Sequence, residues 1–256
     1  MGTPKKLLRV KHCGRLGDVV YSVMVLKAYS EVHDFDLEYC LWDNSALKNL
    51  KDEGHLYPGG INDDAISFIK DWLEGLDIKV SKYNGQVCLD LDYVKELGQS
   101  IAIPYSDIRK WYVFAYPELN TGKLFFNTDY SLIKENFVLV NRTTRWQNPY
   151  IDYSYLNKID SNIVFIGTDE EFNIFKQDVP AAIKNDVKSL KEAEELIKSC
   201  QLYIGNQSLF YAIAEFNQVP RMLEVCTYAP NVVSQGKNHY DFVSNNGFKV
   251  LIDNLL

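Results

Sequence analysis

An α/β fold is predicted by three observations. Short apolar strand-like runs alternate with runs of helical period, from Leu7–Val10 to Phe248–Leu256, and strands and helices of these lengths assemble into parallel sheets with right-handed crossovers. Gly14 and Gly17 fall where the first strand must turn into the first helix, a place where glycine lets the backbone turn and approach a ligand. The alternation breaks near Asn120–Ser131 and then resumes. Together these give two Rossmann-like domains, 1–127 and 128–256, facing a cleft; one long doubly wound sheet is the alternative.

In the first half the pattern reads strand Leu7–Val10, helix Asp18–Ser30, strand Leu37–Leu41 and a helix around Ser45–Lys51. A polar loop near Tyr57–Asn62 precedes a helix over Asp63–Glu74, where Ile66, Ile69 and Leu73 recur at helical spacing. Ile78–Val80 and Val87–Leu91 read as strands. Tyr105–Phe126 is irregular and aromatic, with Pro104 and Pro117 as breakers. The second half is more regular. Strands are predicted at Phe137–Asn141, Asn162–Gly167, Leu202–Gly205 and Arg221–Val225, and helices at Tyr150–Lys158, Glu170–Gln177, Leu190–Ser199, Ser208–Phe216 and the tail Phe248–Leu256.

The 256 residues are 46% hydrophobic, enough for sizeable cores. A net charge of −7 argues against a broad electrostatic grip on nucleic acid, so no nucleic-acid partner is expected. Cys13, Cys40, Cys88, Cys200 and Cys226 are scattered and odd in number, as in a reduced cytoplasmic protein. They share no metal-ligand spacing with His12, His33, His55 and His239, so no metal site is expected. No run is long and apolar enough for a transmembrane segment.

Ligands of doubly wound sheets bind beyond the carboxyl ends of the strands, and four groups of candidate residues lie there. Asp18 falls in the first turn of the first helix, where a carboxylate suits the helix dipole and could accept a proton or hold a hydroxyl; the plainer reading is a helix cap. Arg142, Thr143, Thr144 and Arg145 follow a strand and combine forked cations with hydroxyls, a set suited to a diphosphate; pairing with local carboxylates is the alternative. Asp169, Glu170 and Glu171 open a helix after Thr168, and could cap it or hold ribose hydroxyls. Asn206, Gln207 and Ser208 open a helix of small residues, whose N-terminal amides suit an anion. Glu215 and Glu224 interrupt apolar runs; either could accept a sugar hydroxyl, but the expectation is that both are paired and exposed.

In order and rough separation these segments resemble the heptosyltransferase-like family of GT-B glycosyltransferases. The likeness rests on Gly14–Ser22, the Thr143–Arg145 loop, Gly167–Glu171, and Tyr203–Ser208 continuing to Arg221. The resemblance implies two Rossmann-like domains, an acceptor-side one followed by a nucleotide-sugar-binding one, and chemistry without a bound metal or other cofactor, the nucleotide-diphosphate sugar being the co-substrate. It implies Asp18 as the general base for an acceptor hydroxyl, on a glycan or lipopolysaccharide-like lipid-linked glycan. Thr143, Thr144, Arg145 and Ser208 would bind the diphosphate, with Asp169–Glu171 facing the ribose. The chain departs from the family where Gln207, Ser208 and Leu209 replace an acidic residue, a small hydroxyl residue and glycine. Ala212 stands where histidine is frequent, and residues 54–126 match little. A catalytically silent module binding a nucleotide sugar or glycan is the competing expectation. An NAD-dependent oxidoreductase is disfavoured, because the full three-glycine spacing is missing and Asp18 would repel a pyrophosphate.

Overall fold

The computed structural model describes residues 5–12, 15–42, 61–94, 107–128 and 135–256. The chain divides into two compact units whose principal boundary falls between Phe125 and Phe126. Each is built on a parallel sheet.

Among the described residues the first unit has four strands: β1 (Lys6–His12), β2 (Phe35–Leu41), β3 (Ile78–Lys82) and the short β4 (Leu89–Asp90), in the spatial order β3-β2-β1-β4. Its longest helix, α1 (Leu16–His33), is apolar nearly all round and is buried over most of its length, Val19, Val20, Val23, Met24 and Leu26 among the core residues. It ends at Asp34, whose φ of 57° closes the helix in the left-handed region. Helix α2 (Asp63–Glu74) is capped by Asn62, which accepts the Ala65 N–H, and buries Ala65, Phe68, Ile69, Trp72 and Leu73. That spacing is the apolar stripe of a helix laid on a sheet. A third helix, α3 (Ile108–Ala115), forms where the sequence pattern reads as irregular. Only Ile108, Arg109 and Tyr112 of it are buried, so its apolar face is too short to register as a periodic signal.

Among the described residues the second unit has six strands: β5 (Phe137–Asn141), β6 (Asn162–Phe165), β7 (Ile183–Lys184), β8 (Leu202–Asn206), β9 (Arg221–Glu224) and β10 (His239–Phe242). Helices α4 (Asp169–Asp178), α5 (Leu190–Ser199), α6 (Leu209–Phe216) and α7 (Asn245–Leu255) connect or follow them. Every residue of β5, β8 and β9 is buried, as expected of central parallel strands covered on both faces. Val138, Val140, Phe165, Phe175, Ile204, Met222 and Phe248 form the body of its core.

The expected helix over Tyr150–Lys158 is a 3-10 helix confined to Tyr153–Lys158. Its start is fixed by Asp152, whose side chain accepts the Ser154 N–H. Strands β7 and β10 escape the sequence pattern because one has two residues and the other reads His-Tyr-Asp-Phe. The helix expected around Ser45–Lys51, most of the Tyr57–Asn62 loop, and Gly14 lie outside the described residues.

Candidate functional site

In the second unit the strands lie in the order β10-β9-β8-β5-β6-β7. The chain moves outward from β5 through β6 to β7, then returns and moves outward the other way from β8. The connections therefore diverge between β5 and β8, and the carboxyl ends of strands at such a divergence are where these sheets bind ligands. Two of the predicted segments begin there: Arg142–Arg145 after β5, and Gln207–Ser208 after Asn206 ends β8.

The structure ties these segments together. Asn206 Oδ1 accepts the Thr143 backbone N–H at 2.9 Å and lies 3.3 Å from its hydroxyl, while Asn206 Nδ2 donates to Thr143 O at 2.9 Å. This reciprocal clasp fixes the β5 loop against the β8 end. Gly205 allows the close approach, since a Cβ there would come within 2.6 Å of Asn141 O. Asn141 in turn donates from Nδ2 to Ile166 O at 2.7 Å, linking β5 to the segment after β6. Ser208 caps α6, its Oγ accepting the Tyr211 N–H at 3.1 Å. Gln207 beside it is buried.

The acidic segment divides. Glu171 is 4% exposed and forms a capping box with Thr168: it accepts the Thr168 N–H at 2.8 Å and gives its own N–H to the Thr168 hydroxyl at 3.2 Å. The Thr144 backbone, in the β5 loop, exerts a further and smallest lowering effect on this carboxyl. Burial pushes its carboxyl above the usual range, against the lowering effect of these bonds. Asp169 points elsewhere, its exposed carboxylate paired with Lys184 at 2.5 Å. Glu170 is exposed.

Arg142 is turned inward. Its guanidinium grips Glu224 at 2.9 and 3.1 Å, donates to Asn148 O at 3.1 Å and lies over the Tyr153 ring. Glu224 is fully buried and also accepts the Tyr153 hydroxyl and the Asn148 N–H. The expectation that Glu224 and Glu215 would be paired and exposed is half corrected: both are paired, and both are fully buried, Glu215 beside Arg221. A buried carboxylate needs a cation or several donors, and each has found them. Sequence reasoning missed Asn148 and Tyr153 as supports of this loop; a glutamate inside an apolar strand was the one available signal. Arg145 remains as the loop's second guanidinium, placed over the Trp146 ring at 5.3 Å. Tyr228 packs on Trp146 and donates its hydroxyl to Arg145 O.

In the first unit Asp18 is half-buried in the first turn of α1, and its Oδ2 accepts the Arg15 N–H at 3.3 Å. The capping role is thus present in the structure. Tyr112 donates to Asp18 O at 3.0 Å, and His12 Nε2 lies 3.2 Å from the Tyr112 hydroxyl. Burial holds that hydroxyl well above the usual phenol range, so it stays a donor. Gly17 was expected in the turn before the helix; it is the second residue of α1, inside its first turn. Among the described residues, no group of three or more histidine, cysteine, aspartate or glutamate side chains is disposed to hold a metal ion. None of the described helices is long and apolar enough to cross a membrane.

No protein-family model matches this chain, and no curated sequence does. Solved structures do match. E. coli heptosyltransferase WaaC with ADP aligns at a TM-score of 0.59 with 10% identity, over 98% of this chain and 100% of that one. E. coli ADP-heptose lps heptosyltransferase II aligns at 0.55 with 11% identity, over 98% of each chain. The iron-containing dodecameric glycosyltransferase TibC from enterotoxigenic E. coli H10407 aligns at 0.55 with 11% identity over 93% of this chain, which spans 62% of that protein. The chain therefore has the α/β fold of the heptosyltransferases, as the sequence resemblance implied.

Proposed function

We propose that the chain is an inverting glycosyltransferase, moving a sugar from a nucleotide-diphosphate sugar to an acceptor hydroxyl of a glycan or lipid-linked glycan. The observation that carries this reading is the β5/β8 divergence, where the Thr143 loop, Asn206 and the start of α6 are clasped into one edge. The end-to-end fold match to proteins solved with ADP and with ADP-2-deoxy-2-fluoro heptose supports the choice of ligand class.

In this reading the acceptor oxygen attacks the anomeric carbon as the bond from that carbon to the diphosphate oxygen breaks. Asp18 takes the acceptor's proton, which avoids a free alkoxide, and the bonding electron pair leaves with the diphosphate. Arg145, the hydroxyls of Thr143, Thr144 and Ser208, and the first amides of α6 stabilise that departing charge. The reaction calls for no metal ion in this assignment, so a chelator is expected to leave turnover unchanged. Glu171 serves the donor site by fixing, through its capping box with Thr168, the start of α4.

The test combines binding and turnover. A nucleoside diphosphate is expected to raise the thermal midpoint, because a ligand that binds only the folded state stabilises it by mass action. Asp18→Asn is expected to keep that shift while donor turnover falls by about a hundredfold or more. No shift with any nucleoside diphosphate would overturn the donor site. A second reading, a silent module that binds a nucleotide sugar, is favoured by the capping bond from Arg15 to Asp18; it predicts equal behaviour of wild type and Asp18→Asn.

A further inference from the structure

The first unit carries a cluster that the transfer step does not use. Its sheet order, β3-β2-β1-β4, also reverses direction, here between β1 and β4. The same rule then places a ligand crevice at the carboxyl ends of those two strands. All four strands deliver a side chain to that edge: Lys11 from β1, Trp42 one residue beyond β2, Tyr83 one residue beyond β3, and Asp90 from the end of β4.

These groups are organised around Lys11. Its Nζ lies 2.7 Å from Asp90 Oδ2 and 3.8 Å from Asp92 Oδ2. It also sits 4.8 Å from the centre of the Trp42 ring and 5.5 Å from that of Tyr83. The two rings meet edge to face with centres 6.3 Å apart. Backbone bonds that continue the strand ladders, Trp42 N–H to His12 O at 3.1 Å and Tyr83 N–H to Leu41 O at 2.9 Å, hold both ring-bearing residues in place. The Lys11 side chain is only 15% exposed, yet the Asp90 carboxylate is 47% exposed and Trp42 37%.

A rigid, part-exposed indole beside a carboxylate and an ammonium suits a ligand with an apolar C–H face and a rim of hydroxyls. The indole covers the C–H face, as aromatic rings do with amphipathic partners. Asp90 accepts a hydroxyl and Lys11 donates to an oxygen. A phosphate fits poorly, because two carboxylates flank the single cation. We propose that Trp42, Tyr83, Lys11 and Asp90 form a pyranose-binding subsite. Its assignment to the acceptor sugar rests on the transfer reading above; the saccharide site itself does not. A chain of contacts runs from it to Asp18. Asp92 Oδ1 lies 3.7 Å from His12 Nδ1, and the His12–Tyr112 pair reaches the Asp18 carbonyl.

The experiment follows tryptophan indole N–H signals of the full ¹⁵N-labelled chain while methyl α-D-glucopyranoside, methyl α-D-mannopyranoside and methyl α-D-galactopyranoside are added in turn. The Trp42 signal, identified by its loss in Trp42→Phe, is expected to move saturably with at least one glycoside. Asp90→Asn is expected to weaken that binding about tenfold, the loss of one charge-assisted hydrogen bond. A Trp42 signal unmoved by all three glycosides overturns the subsite, as does unchanged affinity in a folded Asp90→Asn. The wild-type titration decides even if the variant fails to fold. ADP added to the same sample separates the two readings: no response anywhere to ADP removes the transfer reading, while a saturable glycoside response at Trp42 leaves the saccharide site intact.

Discussion

The Arg142–Glu224 pair shows how much one misassigned side chain can matter. Two arginines in one loop look equivalent in sequence, but only the fold reveals that Arg142 neutralises a carboxylate ending a buried strand. Removing one partner of such a pair leaves an uncompensated buried charge, which costs about 3–5 kcal/mol. Glu224→Ala is therefore expected to lose stability on that scale in urea unfolding; a loss within that of a surface substitution would contradict the assignment. Arg145 is predicted to behave differently. Arg145→Ala should weaken nucleoside diphosphate binding by about tenfold or more while leaving nucleoside binding nearly unchanged, since a charged hydrogen bond to phosphate is lost and base contacts are not. Comparable losses, measured by calorimetric titration, would mean that the loop does not meet phosphate.

Elements with a long or strongly patterned core face were legible in the sequence. Helix α2 occupies the predicted Asp63–Glu74, α5 the predicted Leu190–Ser199 and β5 the predicted Phe137–Asn141. What could not be read was whatever depends on distant partners. The two-residue β7 exists because β6 offers it a ladder, and Asn141 reaches Ile166 O only because β5 and β6 are neighbours. Of the candidate site, the segments were legible and the directions of their side chains were not. The α4 cap carries a pH prediction. Glu171 is held above the unfolded carboxylate range by burial, so the folded chain binds that proton more tightly than the unfolded chain. Its contribution to stability is then full below the unfolded range and is lost as pH rises through the raised value. Relative to Glu171→Gln, whose amide oxygen can still accept the Thr168 N–H, the wild-type denaturation midpoint should fall across that window. A pH-independent difference between the two would refute it.

At the scale of the molecule, the two sheets of the described residues each reverse their strand order once, between β1 and β4 and between β5 and β8. Ligand binding should therefore be local. In hydrogen exchange, a nucleoside diphosphate is expected to protect the carboxyl ends of β5 and β8 and the start of α6, leaving the strand amides of the first unit unchanged. Protection centred on β1 and β4 instead would place the nucleotide on the wrong sheet. Gly205 carries one more implication. A Cβ at position 205 would meet Asn141 O and the Tyr203 side chain, so the chain packs there backbone to backbone and leaves no room for a side chain. In the proposed reading, choice among sugars falls to the overlying segments, which can diverge without disturbing that contact.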